Sequence, residues 1–167
     1  VYNCGGYERA DTLRALEGKV QIYLPDLKYL NPEAAARYSG APDYPDIAAA
    51  AIREMVRQTG PCQFDQDGLL TRGVIIRHLI LPGQVQGAKA VMDWVAEHFA
   101  PGAVAFSLMS QYTPQPGAEG NLRRHVTRAE YRAAVAYMEN CGITDGYTQE
   151  RTSAKEEYTP DFDGRGV

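Results

Sequence analysis

The sequence predicts an α/β protein, and within that class a partial (truncated) TIM-type β/α barrel. Three apolar, strand-like runs carry this prediction, at residues 20–24, 74–81 and 103–109. Helical patterns of about 10 to 15 residues lie between them, which is typical of right-handed βαβ units with parallel strands. Polar residues stand at or near the carboxyl end of each run, where parallel β/α folds bind ligands. The sequence therefore predicts one shared site at that edge.

The first elements are a strand end, a glycine turn, a short helix and the first complete strand. Residues 1–3 run into Gly5 and Gly6, and residues 9–16 then carry apolar side chains at helical spacing. In residues 20–24, Val, Ile and Leu alternate with Gln and Tyr until Pro25 ends the run. A start inside a strand, without methionine, leads us to expect a piece of a longer protein.

Two helices are expected next. Asn31 caps the first and Pro32 occupies its first helical position, and this helix stops at residues 39–40. The second begins near residues 43–45 and ends at residues 60–61, a Gly-Pro pair.

The rest of the chain is also predicted to alternate between strands and helices. In chain order, the predicted elements are an antiparallel hairpin with its turn at residues 67–68, a strand at 74–81, a helix at 88–99, a strand at 103–109, a Pro/Gly-rich loop at 112–121, a helix that begins at the capping box at 127–130, and a short strand at 147–149. We expect residues 1–150 to form one partial barrel domain and residues 151–167 to form a surface tail.

Composition points to an ordinary globular protein. The 167 residues are 44% hydrophobic and 23% charged, with a net charge of -4. This balance gives no electrostatic footprint for nucleic acid, and no apolar run approaches the roughly 20 residues of a membrane span. We expect a soluble, cytoplasmic protein with neither nucleic-acid nor membrane partners.

Metal-binding and catalytic motifs are missing. Cys4, Cys62 and Cys141 are too widely spaced for a cluster loop or a disulfide framework. The sequence also lacks C-x-x-C, H-E-x-x-H, a Walker phosphate loop and a G-x-S-x-G elbow. We predict no metal ligands and no catalytic residue on this chain.

Charged side chains at strand ends are the candidate binding residues. Asp26 and Lys28 are two residues apart, so on an extended backbone they point to the same side of the sheet. Arg77 interrupts an apolar strand, and because arginine is rarely buried unpaired, it needs an anion such as a ligand carboxylate or Asp26. His78 faces the other way and is expected to pack against a helix. Ser107, Ser110 and Gln111 offer neutral hydrogen bonds.

Four motifs resemble the later strands of radical SAM enzymes, in the group of the pyruvate formate-lyase activating enzyme and its uncharacterised homologues. They are N-C-G-G-Y at residues 3–7, L-P-D-L-K-Y at 24–29, I-R-H-L-I-L-P-G at 76–83 and S-L-M-S-Q-Y-T-P at 107–114. The resemblance extends to residue 162 and implies that this chain is about half of a (β/α)6 radical SAM barrel. In that group, upstream C-x-x-x-C-x-x-C and G-G-E motifs hold a 4Fe-4S cluster and S-adenosylmethionine, and neither motif is in this sequence.

The resemblance also assigns binding residues by position. Asn3 matches a polar cofactor ligand, Asp26 and Lys28 match the D-L-K of the methionine and ribose side, and Arg77 matches the arginine of strand five. Positions that touch ribose and adenine are matched by Leu79, Leu108, Ser110 and Gln111. Gln111 stands where activating enzymes often have histidine.

The function that the resemblance implies is that of the C-terminal part of an oxidoreductase that cleaves S-adenosylmethionine to a 5′-deoxyadenosyl radical, with a glycyl-radical enzyme or other protein as its partner. We expect the fragment itself to be inactive and to hold no 4Fe-4S cluster. Two alternatives stay open, a non-catalytic α/β scaffold or interaction protein and another α/β-barrel enzyme acting on a small anionic substrate. An exposed sheet edge would also allow self-association.

Overall fold

The fold is an α/β sheet with helices, as the sequence predicts at the level of class. A computed structural model describes residues 1–143 and 146–148. The strands within these residues are β1 (Tyr2–Cys4), β2 (Ile22–Pro25), β3 (Gln63–Phe64), β4 (Leu70–Leu79), β5 (Ala105–Met109) and β6 (Gly146–Thr148). The helices are α1 (Ala10–Arg14), α2 (Pro32–Ser39), α3 (Tyr44–Thr59), α4 (Val85–His98) and α5 (Arg128–Asn140), with a 3₁₀ turn at Gly120–Arg123.

The strands run in the order β1-β2-β4-β5-β6, and all of these neighbours are parallel. Strand order follows chain order, so every crossover moves in the same direction across the sheet. Right-handed crossovers then place the connecting helices on one side of it. β3 pairs antiparallel with β4, which confirms the predicted hairpin.

Side chains along the strands alternate between two faces of the sheet. On the helix face, the fully buried members are Tyr23, Leu27, Val74, Ile76, Phe106 and Leu108. On the opposite face, which we call the open face, the half-buried members are Ile22, Leu24, Asp26, Ile75, Arg77, Leu79, Ser107 and Met109. Burying one large apolar side chain contributes about 1.5–3 kcal/mol, so the helix face supplies most of the stability. The open face is where polar residues are tolerated.

The helix starts follow the sequence closely. The Asn31 carboxamide oxygen accepts hydrogen bonds from the backbone N–H groups of Glu33 and Ala34, at 2.7 and 3.0 Å, and so caps α2. Thr127 and Glu130 form the predicted capping box of α5. Each such cap contributes about 1 kcal/mol.

Several boundaries differ from the sequence prediction: β4 ends at Leu79 rather than at residue 81, and β5 begins at Ala105 rather than at residue 103. β4 begins at Leu70 rather than at residue 74, because its first residues pair with β3 in the hairpin. α4 begins at Val85 rather than at residue 88, directly after the turn at Pro82 and Gly83. The predicted tail at residues 151–167, and Gln149 of the last predicted strand, lie outside the described residues. Within the described residues, no helix is both long enough and apolar enough to cross a bilayer.

Candidate functional site

Three of the predicted site residues meet at the carboxyl ends of β1, β2 and β4. One guanidinium nitrogen of Arg77, Nη2, donates a hydrogen bond of 2.6 Å to the Asn3 carboxamide oxygen and lies 2.7 Å from Oδ1 of Asp26. The side chains of Arg77 and Asp26 are 25% and 24% exposed, so the ion pair is largely shielded from water. We call these residues the Asn3–Asp26–Arg77 triad. Asp26 is thus the anion within this chain that Arg77 was predicted to need.

The triad brings opposite charges together without completing their hydrogen bonds. Among the described residues, Oδ1 of Asp26 and Nε of Arg77 are buried atoms with no hydrogen-bond partner. The 2.7 Å contact between Asp26 and Arg77 is therefore an ion pair whose angles are poor for a hydrogen bond. Leaving a buried polar atom such as Nε without a partner costs about 1–3 kcal/mol, whereas Oδ1 keeps its ion pair with Nη2. Both atoms are buried here, so a ligand would have to shift these side chains in order to supply a donor to Asp26 and an acceptor to Arg77.

The backbone around Asp26 is held by two residues that the sequence reasoning missed. Gly6 has a φ of +79°, and a Cβ at this position would lie 2.1 Å from the Asp26 carbonyl oxygen. Only glycine allows this approach. The Tyr44 hydroxyl accepts a 3.0 Å hydrogen bond from the Lys28 N–H, and it lies 2.9 Å from the Gly5 carbonyl oxygen and 2.8 Å from that of Asp26. Burial raises the pKa of Tyr44, so its hydroxyl stays a donor to one of these carbonyls.

Tyr44 carries little signal in the sequence. It stands at the predicted start of a helix, where an aromatic side chain reads as part of the core, and it is indeed buried. Only the folded backbone shows that its hydroxyl ties β2 to the glycine turn. We conclude that Tyr44 positions the strand end that carries Asp26.

Lys28 lies near the triad without contacting it. The side chain is exposed, and its ammonium nitrogen is 3.8 Å from the point where a Cβ of Gly5 would stand. Within the described residues Lys28 forms no ion pair. Its charge is thus available to a ligand at this end of the sheet.

The other predicted residues are divided between the two faces. Ser107 lies opposite Arg77 in the β4–β5 register, and Leu79 lies opposite Met109, so both belong to the open face. Ser110 is half-buried and Gln111 is exposed, directly beyond β5. Leu108 differs, because it is fully buried on the helix face and its side chain is not brought to the triad.

His78 lies on the helix face, as strand alternation predicts, and it is only 4% exposed. Its Nδ1 is 2.7 Å from the Leu27 carbonyl oxygen. A carbonyl can only accept, so Nδ1 carries the proton of the neutral ring. Burial lowers the pKa of His78, which keeps the ring neutral at pH 7.

Metal-ligating side chains are dispersed in the described part of the chain. No group of three His, Cys, Asp or Glu residues there is arranged to hold a metal ion. Cys4 is half-buried at the end of β1, and burial raises the pKa of its thiol. The described residues therefore do not fit an iron-sulfur cluster.

Comparison with known proteins gives one distant relative. No protein-family model matches the chain, and no solved structure matches it. An uncharacterized protein of Methanocaldococcus jannaschii is 26% identical over 146 residues, which are 86% of this chain and 38% of that protein. The chain therefore spans well under half the length of the curated relative it matches.

Proposed function

We propose that this chain is the C-terminal part of a radical SAM enzyme resembling glycyl-radical activating enzymes. In this proposal the parallel sheet is about half of a (β/α)6 barrel. The parallel strands lie in the sheet in the same order as in the chain. This order supports the proposal, because in a β/α barrel each new strand lies next to the previous one. Candidate ligand-binding side chains at the carboxyl ends of the strands support it as well.

The observation that carries the proposal is the incomplete hydrogen bonding of the Asn3–Asp26–Arg77 triad. The methionine moiety of S-adenosylmethionine is a zwitterion that also bears a sulfonium charge. The Asp26 carboxylate would interact favourably with its positive groups, and Arg77 would bind its carboxylate through charge-assisted hydrogen bonds. Lys28 would add a second cation beside that carboxylate.

The role of this chain in the proposed reaction is binding and orientation. When S-adenosylmethionine is bound together with a reduced 4Fe-4S cluster, the pair supplies the 5′-deoxyadenosyl radical. The residues described here would hold and orient the cofactor, while the cluster would need ligands outside them. We therefore expect the isolated chain to be inactive, and a glycyl-radical enzyme or other protein is the proposed partner of the whole enzyme.

Titration of the ¹⁵N-labelled chain with S-adenosylmethionine, followed by NMR, tests this proposal. We expect saturable shifts at the amides of Asn3, Asp26 and Arg77, with an affinity weaker than micromolar, which corresponds to less than about 8 kcal/mol of binding free energy. Asp26→Asn and Arg77→Gln should abolish the shifts. Arg9→Gln changes an exposed arginine away from the triad and serves as the control.

Two results would overturn the proposal. One is the absence of any shift at the triad at the highest soluble concentration of S-adenosylmethionine. The other is an equal response to malonate, a small dianion, which would favour an α/β-barrel enzyme acting on a small anionic substrate. Anaerobic reconstitution that gave stoichiometric iron and sulfide would separately contradict the expected lack of a cluster.

Self-association belongs to the same proposal. Within the described residues β1 pairs with β2 on one side only, and Val1 beside it is 80% exposed. The open face next to this edge carries the half-buried apolar side chains of Ile22 and Leu24. Open edges and apolar faces promote pairing with another chain. We expect light scattering to show dimers or larger species as concentration rises, and a strict monomer with residues 150–167 deleted would contradict this.

A further inference from the structure

A cleft of about 470 Å³ lies between α2 and α4, at the carboxyl ends of β2 and β4. Its size falls within the range of small-molecule sites, which are mostly apolar with a few placed polar groups. Tyr29, Tyr38 and Leu81 are among the side chains that give it an apolar wall. The triad lies on the open face, and none of its residues lines this cleft. The cleft is thus a separate candidate site.

His78 gives the cleft a fixed hydrogen-bond acceptor. The ring lines the cleft and is otherwise buried, with 4% exposure. Its Nδ1–H is used by the Leu27 carbonyl oxygen at 2.7 Å, so the lone pair is on Nε2, at the other side of the ring. Among the described residues Nε2 has no hydrogen-bond partner. In the described part of the chain, Nε2 is not among the buried atoms that lack a partner, so it is reachable from outside the protein, and a ligand in the cleft could donate a hydrogen bond to it.

The rim of the cleft is positively charged. Lys28 and Arg37 contribute two cations and Glu33 one anion. The guanidinium carbon of Arg37 lies 5.6 Å from the centroid of the Tyr38 ring, and the Gln84 amide donates a 3.1 Å hydrogen bond to the Tyr38 hydroxyl. These contacts hold an aromatic wall and a cation side by side. A flat ligand with one negative group would match them.

We propose that this cleft binds a small organic anion with a flat apolar body, whose O–H or N–H group donates to Nε2 of His78 while its negative group faces Lys28 and Arg37. The cleft shares Lys28 and Leu79 with the predicted cofactor-binding residues, but it contains none of the triad, and its proposed ligand requires no S-adenosylmethionine. The proposed ligand has one hydrogen-bond donor, one flat apolar body and one negative group. Inorganic phosphate and a simple fatty acid each lack the flat body.

Three probes test the two polar contacts separately. The ¹⁵N-labelled chain is titrated with 4-hydroxybenzoate, with benzoate, which lacks the donor, and with 4-hydroxybenzyl alcohol, which lacks the anion. We expect saturable shifts for 4-hydroxybenzoate at the amides of Gln84, Gln86 and Gly87 and at the His78 ring nitrogens. Both other probes should bind at least about tenfold more weakly, since about 1.4 kcal/mol separates a paired from an unpaired polar group.

A variant on the exposed rim completes the test, because the replacement of an exposed side chain is expected to leave the fold intact. Arg37→Gln should weaken 4-hydroxybenzoate several-fold and leave 4-hydroxybenzyl alcohol unchanged. Arg132→Gln, an exposed arginine on α5, is the matched control and should change neither. The proposal is overturned if 4-hydroxybenzoate gives no saturable shifts up to about 10 mM, if benzoate binds equally well, or if Arg37→Gln has no effect.

Discussion

The two ends of the sheet carry similar charged side chains but complete their hydrogen bonds to different degrees. At the amino end, Glu54 accepts two hydrogen bonds from Arg57, at 2.9 and 2.8 Å, and a third from Gln58 at 2.8 Å. Arg72 donates to the carbonyl oxygens of Thr59 and Gln58, at 2.7 and 2.9 Å, which satisfies the last turn of α3. Every member of this group thus has a partner.

At the carboxyl end, the ion pair of Asp26 and Arg77 leaves Oδ1 and Nε without hydrogen bonds in the described residues. A buried polar group without a partner lowers stability, whereas a completed network adds to it. We therefore expect the amino-end group to stabilise the fold more than the carboxyl-end triad does, in keeping with the proposal that the triad binds a ligand. The following predictions test that division, beginning with the largest effect.

Glu54→Ala should lower the free energy of unfolding by about 2–3 kcal/mol, because three hydrogen bonds to a carboxylate are lost at once. Urea denaturation measures this change. Glu97→Ala, an exposed residue of α4, is the control and should change stability by less than about 0.5 kcal/mol. An equally small effect of Glu54→Ala would remove the distinction between the two ends.

The free energy of unfolding should also depend on pH, because Glu54 at the amino end of the sheet titrates. The hydrogen bonds from Arg57 lower the pKa of Glu54 from 4.5 to about 2. A carboxyl whose pKa is depressed in the folded state adds stability that is fully present above pH 4.5 and is lost as the pH falls towards 2. Denaturation curves between these values should therefore show a falling free energy of unfolding.

Glu54→Gln provides the check on this pH effect, because glutamine keeps the shape of the side chain and does not titrate. The variant should have a shallower dependence of stability on pH between 4.5 and 2. Some dependence of stability on pH should remain in both the wild type and the variant, because the guanidinium of Arg124 also lowers the pKa of Glu130. An unchanged slope in Glu54→Gln would contradict the assignment to Glu54.

At the carboxyl end, the double substitution Asp26→Leu with Arg77→Leu should lower the free energy of unfolding by no more than about 1 kcal/mol. An increase in the free energy of unfolding would also agree with this prediction. Both charges leave together, so no buried charge is left without its partner. Asp26→Leu alone should cost more than the double variant, because Arg77 would then lack an anion. A loss above about 3 kcal/mol in the double variant would mean that the triad is a stabilising element.

The smallest effect is expected at Lys28. Lys28→Gln should change stability by less than about 0.5 kcal/mol, because the side chain is exposed and forms no ion pair within the described residues. Thermal or urea unfolding of the single variant measures this. A clear loss of stability would show that the ammonium group supports the fold, and it would leave less reason to reserve Lys28 for a ligand.

Much of the fold follows from local patterns in the sequence. The Asn31 and Thr127 caps and the hairpin turn at Gly68 were predictable because each depends on residues a few positions apart. Asp26 and Arg77 were likewise predicted to lie together, since both stand near the carboxyl ends of parallel strands. The assignment of Leu108 came from a resemblance and stays a prediction, while strand alternation places its side chain with that of His78 on the helix face.

The sequence by itself thus determined the α/β class and the approximate positions of most elements, and it named Asp26 as one possible anion for Arg77 beside a ligand carboxylate. Only the tertiary structure decided that Asn3 shares the Arg77 guanidinium, that Tyr44 ties the end of β2 to the glycine turn, and that a cleft opens beside His78. Periodicity and turn chemistry act between near neighbours in the chain, and they can be read along it. A hydrogen bond between Asn3 and Arg77 joins residues 74 positions apart, and its geometry depends on how strands and helices pack together.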